Sequence, residues 1–159
     1  MTKSKFMAGM RCLKRLYYQV HEPGPAAELD AATEAIIEQG HDVGMLARRL
    51  FPGGVEVCER SFDQAIRVTR ELVANPEIPA IFEGVFEHQN VLVRVDILHR
   101  RQDGRLRLVE VKSNTDVKPL HEDDLGIQFR VLRRSGLDVA TACLAHVNAV
   151  AFPVVLGRC

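Results

Sequence analysis

Asp96, Glu110 and Lys112 are the side chains whose types and spacing could do chemistry. Asp96 lies in a valine-rich run, residues 91–99, and the other two lie in a second run, residues 106–113. Strand alternation places Val91, Val93, Val95 and Ile97 on one face, with Leu92, Arg94, Asp96 and Leu98 on the other. In the second run Leu106, Leu108, Glu110 and Lys112 share a face, opposite Arg107, Val109 and Val111. An Asp among valines is costly unless something compensates its charge. The turn between the runs decides what does. If Gln102-Asp103-Gly104 is a three-residue loop with Gly104 left-handed, Arg101 pairs with Arg105 and Asp96 falls opposite Glu110. A two-residue loop would instead set Asp96 opposite Val111 and send the carboxylates to different faces. In the first register the two carboxylates stand roughly 5 Å apart at Cβ and repel. A divalent cation relieves that repulsion, and Mg²⁺ favours one or two carboxylates with water and phosphate oxygens. Lys112 points the same way as Glu110, suited to orient a water nucleophile or to stabilise charge developing on phosphorus.

Four helices and four strand-like runs must position these groups. Residues 4–20 carry Phe6, Met10, Leu13 and Tyr17 at helical spacing, and the Pro- and Gly-rich residues 21–25 end that helix. A second helix, 31–50, has Ile36, Gly40, Val43, Ala47 and Leu50 in one stripe and stops at the Pro-Gly-Gly of residues 52–54. Ser61 and Gln64 form a capping-box signature for a third, with Phe62, Ala65, Ile66, Thr69 and Val73 as its buried face. The period then changes from 3.6 to 2, predicting strands at 81–87, 91–99 and 106–113. A fourth helix, 122–135, has acids in its first turn, Arg133 and Arg134 in its last and Gly136 as its stop, and a strand follows at 139–147. The fold class is therefore α/β: a mixed sheet flanked by helices, with extra N-terminal helices. No repeat or linker divides the chain, so residues 1–159 read as one domain.

On these elements Val95-Asp96-Ile97 and Glu110-Val111-Lys112 resemble the D…(D/E)xK signature of the PD-(D/E)XK nuclease superfamily, and the element order resembles its restriction-endonuclease-like αβββαβ core. The nearer likeness is to the RecB-like branch, which adds a histidine on an upstream helix and a glutamine after the ExK strand. His41, within Gly40-His41-Asp42-Val43-Gly44, and Gln128, within Ile127-Gln128-Phe129, stand at those places. The opening KSKFMAGMRCLKRLYY, the GHDVGMLARRLFPGG stretch, FEGVF, EVKS and DDLGIQ are similar to the amino-terminal nuclease domain of an uncharacterised bacterial family. The resemblance implies a metal-dependent deoxyribonuclease of DNA repair, recombination or phage defence. Asp96, Glu110, the Val111 carbonyl and His41 would hold Mg²⁺ or Mn²⁺, with Lys112 and Gln128 completing the catalytic set. Hydrolysis would leave a 5′-phosphate. The implied partner is DNA, as a single strand or duplex end, with a fused or associated helicase or nuclease domain. Two departures stand out. The tyrosine usual one turn after the glutamine is Leu132 here. Cys12 matches the early ligand of relatives that carry an iron–sulfur cluster, but only Cys143 and Cys159 lie late, and four converging thiolates are needed. No cluster is expected.

Each site residue also has a plainer reading. Asp96 and Glu110 suit an ion network neutralised by Arg94 or Lys112, His41 a helix-surface hydrogen bond, and Gln128 a solvated helix face. Glu83, placed by alternation with Ile81 and Val85, suits either a water-mediated metal contact or an arginine salt bridge. The basic pairs, such as Lys14-Arg15 and Arg48-Arg49, are solvated faces unless folding gathers them around the acidic centre. A catalytically inactive nucleic-acid-binding domain and a partner-docking domain are thus the rival readings. Composition bounds them all. The 21 basic and 21 acidic residues cancel, which excludes a globally basic binder but not an enzyme that recruits positive charge as a metal ion. No apolar run reaches membrane-spanning length, there is no signal-peptide pattern, and the four scattered cysteines suit a reduced, cytoplasmic protein. The abrupt end after Val-Leu-Gly-Arg-Cys reads as that of a fragment or a truncated protein.

Overall fold

The change of period near residue 80 coincides with the start of the long strands of the sheet. A computed structural model describes residues 1–22, 24, 30–148 and 154–156. Its elements are α1 (Lys3–Arg11), α2 (Leu13–His21), α3 (Ala31–Arg48), β1 (Val55–Glu56), α4 (Phe62–Ala74), β2 (Ala80–His88), β3 (Val91–Arg100), β4 (Leu106–Lys112), α5 (Pro119–Arg134), β5 (Val139–Val147) and β6 (Val154–Leu156). The strands form one mixed sheet in sequential order. β2, β3 and β4 make the expected antiparallel meander, while β1 joins β2 and β5 joins β4 in parallel. Parallel neighbours need a crossover, and α4 and α5 supply the two.

The two faces of the sheet carry separate cores. On one, Ala65 of α4 and Val131 and Leu132 of α5 pack with Ile81, Val85, Val93, Val95, Leu98 and Leu108. On the other, Ala47 of α3 packs with Ala80, Phe82, Ile97, Val109, Cys143 and Ala145. Thr69 pins α4 to the sheet, its buried Oγ1 accepting the Val85 N–H at 3.0 Å.

Several sequence expectations are corrected. Residues 4–20 form two helices, because Cys12 is extended (φ −163°) between α1 and α2. The chain folds back there so that Leu16 lies against Gly9, where a Cβ would come within 2.8 Å of it. The apolar stripes of these segments and of α3 are mostly outside the core. Leu13 is 78% and Ile36 64% exposed, because only the C-terminal part of α3, around Ala47, reaches the sheet. The capping box at α4 does not form. Ser61 has the extended backbone of a cap, but its side chain accepts no amide, and the buried face starts at Ala65 because Phe62 is exposed. α5 begins earlier than expected, at Pro119, whose fixed φ suits a first helical turn. The short strands β1 and β6 were not expected; two or three residues carry no readable alternation.

Candidate active site where two strands part

The β3–β4 turn takes the three-residue form. Arg101 N–H donates to the Arg105 carbonyl at 2.8 Å, Gly104 N–H donates to the Arg101 carbonyl at 2.9 Å, and Gly104 has φ +79°. A left-handed residue at that place favours glycine. The ladder then runs through His99↔Arg107 and Ile97↔Val109, which sets Asp96 against Glu110 and sends the odd-numbered backbone groups of β4 toward β3. Continued regularly, it would next join Val111 to Val95. Instead the Val111 N–H donates to Asp96 Oδ2 at 2.7 Å, and the pairing ends at Ile97 and Val109 as the strands separate. The N–H and C=O of one extended residue face the same edge, so the Val111 carbonyl faces this gap too.

The alternation predicted for β3 breaks at the same place. Val93 and Val95 belong to one core and Ile97 to the other, so these three do not share a face. β2 is irregular beside it. Glu83, flanked by the pairs Phe82↔Ile97 and Gly84↔Val95, has φ +56°. That conformation is uncommon for a non-glycine residue, and such strain concentrates at functional sites. It also turns Glu83 away from Ile81 and Val85 toward α3, correcting its predicted face. There Arg48 Nη2 donates to Glu83 at 2.9 Å and Arg48 Nη1 to Glu56 at 2.7 Å, the salt-bridge alternative. A cavity of about 270 Å³ opens at this point, lined by His41, Gly44, Arg48, Glu83, Asp96 and Val111, among others. His41 and Asp96 therefore border one space, with Gly44 leaving room beside them.

Glu110 faces the other layer and is 2% exposed. Lys112 Nζ donates to its Oε1 at 2.6 Å, Lys3 Nζ to the same oxygen at 3.3 Å, and Gln128 Nε2 to Oε2 at 2.7 Å. Asp124 closes the cluster, accepting from Lys112 at 2.7 Å and from Lys3 at 2.9 Å. Gln128 is wholly buried, so the solvated-face reading of it fails. It positions Glu110, and its own Oε1 is buried without a hydrogen-bond partner among the described residues. Arg94 makes no ion pair among the described residues; Lys112 and Lys3 do the neutralising.

The electrostatics follow from burial. Burial foremost, then the charge of Asp96, pushes Glu110 up to about 7. Asp96 is also raised, by burial first and by Glu83, against the Val111 N–H and Lys3. Two carboxylates that each disfavour their own charge form a donor set that a divalent cation would complete, and they fit that group. Burial opposes the charges of Lys112, Lys3 and Asp124 as well, but their mutual contacts prevail. Both lysines lie above their usual value and Asp124 falls to about 2. Lys112 is thus held as a cation, a charge donor and not a proton acceptor. Among the described residues no three His, Cys, Asp or Glu side chains stand together as a ready-made metal group. The fold gathers Glu110, Lys112, Gln128 and Asp124 in one cluster, near enough to Asp96 for its charge to be felt, and His41, Asp96 and Val111 around one cavity.

Two members of the cluster escape a reading of the sequence. Asp124 stands one helical turn before Gln128, a spacing that would have placed both on one face. Lys3 carries no signal, because nothing local ties the chain start to residue 110.

No protein-family model matches this chain, and no curated protein does. It is similar to a solved structure described as "Crystal structure of SSO0001", at 12% identity and a TM-score of 0.40, over 98% of this chain and 66% of that one. This chain therefore spans about two thirds of that protein's length.

Proposed function

We propose that this domain hydrolyses phosphodiester bonds in DNA with the help of a divalent cation. The observation that carries the reading is the parting of β3 and β4: Asp96 takes the Val111 N–H there, beside a buried Glu110 whose ionisation burial and Asp96 oppose. Asp96, Glu110 and the Val111 carbonyl would hold Mg²⁺ or Mn²⁺, and His41 borders the same cavity as Asp96 and Val111. When bound, such an ion neutralises the carboxylates and makes water a usable nucleophile near neutral pH. The rest falls to the chain itself. Gln128 holds the Glu110 carboxylate in place. Asp124 keeps Lys112 charged and directed at the cluster, where its ammonium can stabilise negative charge developing on a phosphate. Glu83 and Arg48 brace the cavity wall.

No base-reading motif is visible in the sequence, which suits backbone recognition with little sequence preference. No described helix is long and apolar enough to cross a membrane. A cytoplasmic place and a fused or associated helicase or nuclease domain belong to the same reading.

A specific observation favours a second reading, a domain that binds nucleic acid without cutting it: Glu110 already has donors on both oxygens. One experiment separates the two. Labelled single- and double-stranded DNA is incubated with the wild type, Asp96→Ala and Lys112→Ala, in Mn²⁺, Mg²⁺ or EDTA. Cleavage should need the metal and both side chains, with Lys112→Ala slower by roughly 10²–10³-fold, the usual cost of losing one charge-stabilising donor. Cleavage that persists in both variants sinks the assignment, and no cleavage by the folded wild type supports the binding reading.

A further inference from the structure

A second groove meets the site from the side of α1 and α2, and it is basic. It has a volume of about 470 Å³, with Arg11, Arg15, Gln19, Lys112, Asn114 and His121 among its lining residues. Met7 and Leu120 add apolar surface. Lys112 and Lys3 are engaged by Glu110 and Asp124, but Arg11 and Arg15 make no ion pair among the described residues, and both are exposed. The break at Cys12 brings them together. α1 and α2 fold against each other over Gly9, so that Arg11, the last residue of α1, and Arg15, in the first turn of α2, line one groove.

We infer that this groove holds the backbone of a single nucleic-acid strand, on the path of the strand being cut; the choice of polynucleotide rests on the function proposed above. Three features select that occupant. Two uncompensated guanidiniums offer planar, bidentate donors that match phosphate. The volume is that of a pocket for a small ligand, with room for a nucleotide or two of one strand. Lys112 belongs both to the groove and to the acidic cluster, so a strand lying there presents its backbone to the candidate catalytic residues. The zero net charge of the chain is compatible with this, because the arginines are local while most other basic groups near the site are paired.

The test is fluorescence anisotropy of a short fluorescein-labelled oligothymidylate in EDTA, where cleavage cannot intervene, across a salt series. Arg11→Ala/Arg15→Ala should bind at least tenfold more weakly at low salt. The slope of log affinity against log salt should also fall by roughly 1.4, from two lost phosphate contacts at about 0.7 each on a single strand. Arg11→Lys/Arg15→Lys should restore most of the slope, and Arg67→Ala/Arg70→Ala on α4 should match the wild type. Thermal melting of the exposed-site variants confirms that they fold. Equal affinity and slope for the wild type and Arg11→Ala/Arg15→Ala overturns the inference, as does an equal loss in the α4 variant or tighter binding of a blunt duplex. Failure of the nuclease reading is distinguishable: the arginine dependence in EDTA would stand while metal-dependent cleavage was absent.

Discussion

Replacing Glu110 by Gln should stabilise the metal-free protein at alkaline pH and leave it almost unchanged at acidic pH. Burial and Asp96 raise this carboxyl from 4.5 to about 7. A group whose folded value is raised contributes stability that is fully present below its unfolded value and lost as pH rises through the folded one. The window is therefore about pH 4.5 to 7. Above it, the ionised Glu110 costs the folded state about 3 kcal/mol, from the rise from 4.5 to about 7 at 1.36 kcal/mol per pH unit. Gln keeps the shape without the charge. Its amide oxygen can accept from Lys3 and Lys112, and a rotated Gln128 amide can meet its NH₂ with the oxygen that now lacks a partner. For a domain of this size about 3 kcal/mol corresponds to roughly 6–12 °C in melting temperature. The assay is thermal unfolding in EDTA from pH 4.5 to 8.5, read as the difference between variant and wild type. His99, lowered chiefly by burial, adds stability as pH rises through the same region but does so in both proteins and cancels, whereas His121, also lowered chiefly by burial, is held up in part by the Glu110 charge and is lowered further in the variant. A difference that stays flat across the window would refute the claim that burial and Asp96 govern Glu110. With Mn²⁺ present, the wild type should recover the lost stability at pH 8 and the variant should not.

Two further changes probe the frame around the site. Thr69→Val keeps the side-chain shape but leaves the Val85 N–H without its acceptor, so chemical denaturation should show a loss of about 1–3 kcal/mol with an unchanged m-value. Gln128→Leu removes the donor on Glu110 Oε2; cleavage should slow while affinity for the labelled strand in EDTA stays at the wild-type level, because Gln128 is wholly buried and does not itself line the basic groove.

Much of this site is legible in the order of the residues. The Asp103-Gly104 turn offers two registers, and the left-handed Gly104 realises the one that opposes Asp96 and Glu110. The strand at 139–147 and the meander are readable from period-two alternation, which needs only local chemistry, although the folded strands interrupt it at Asp96 and after Val139. The helices are less legible in their partners than in their existence. The stripes of residues 4–20 and of α3 have helical spacing, yet most of their apolar side chains remain exposed, because spacing says that a face exists and not what will cover it.

The sequence by itself determined the acidic pair, the lysine two residues beyond it and the α/β order, since turn chemistry and periodicity act over a few residues. The tertiary fold decided the rest. It set the left-handed Glu83 against Arg48, parted β3 from β4 so that Asp96 could take the Val111 amide, and delivered Lys3 and Asp124 to Glu110. Those contacts join residues up to 107 positions apart. The strength of a charge in such a place depends on how deeply the chain buries it, which no local pattern records.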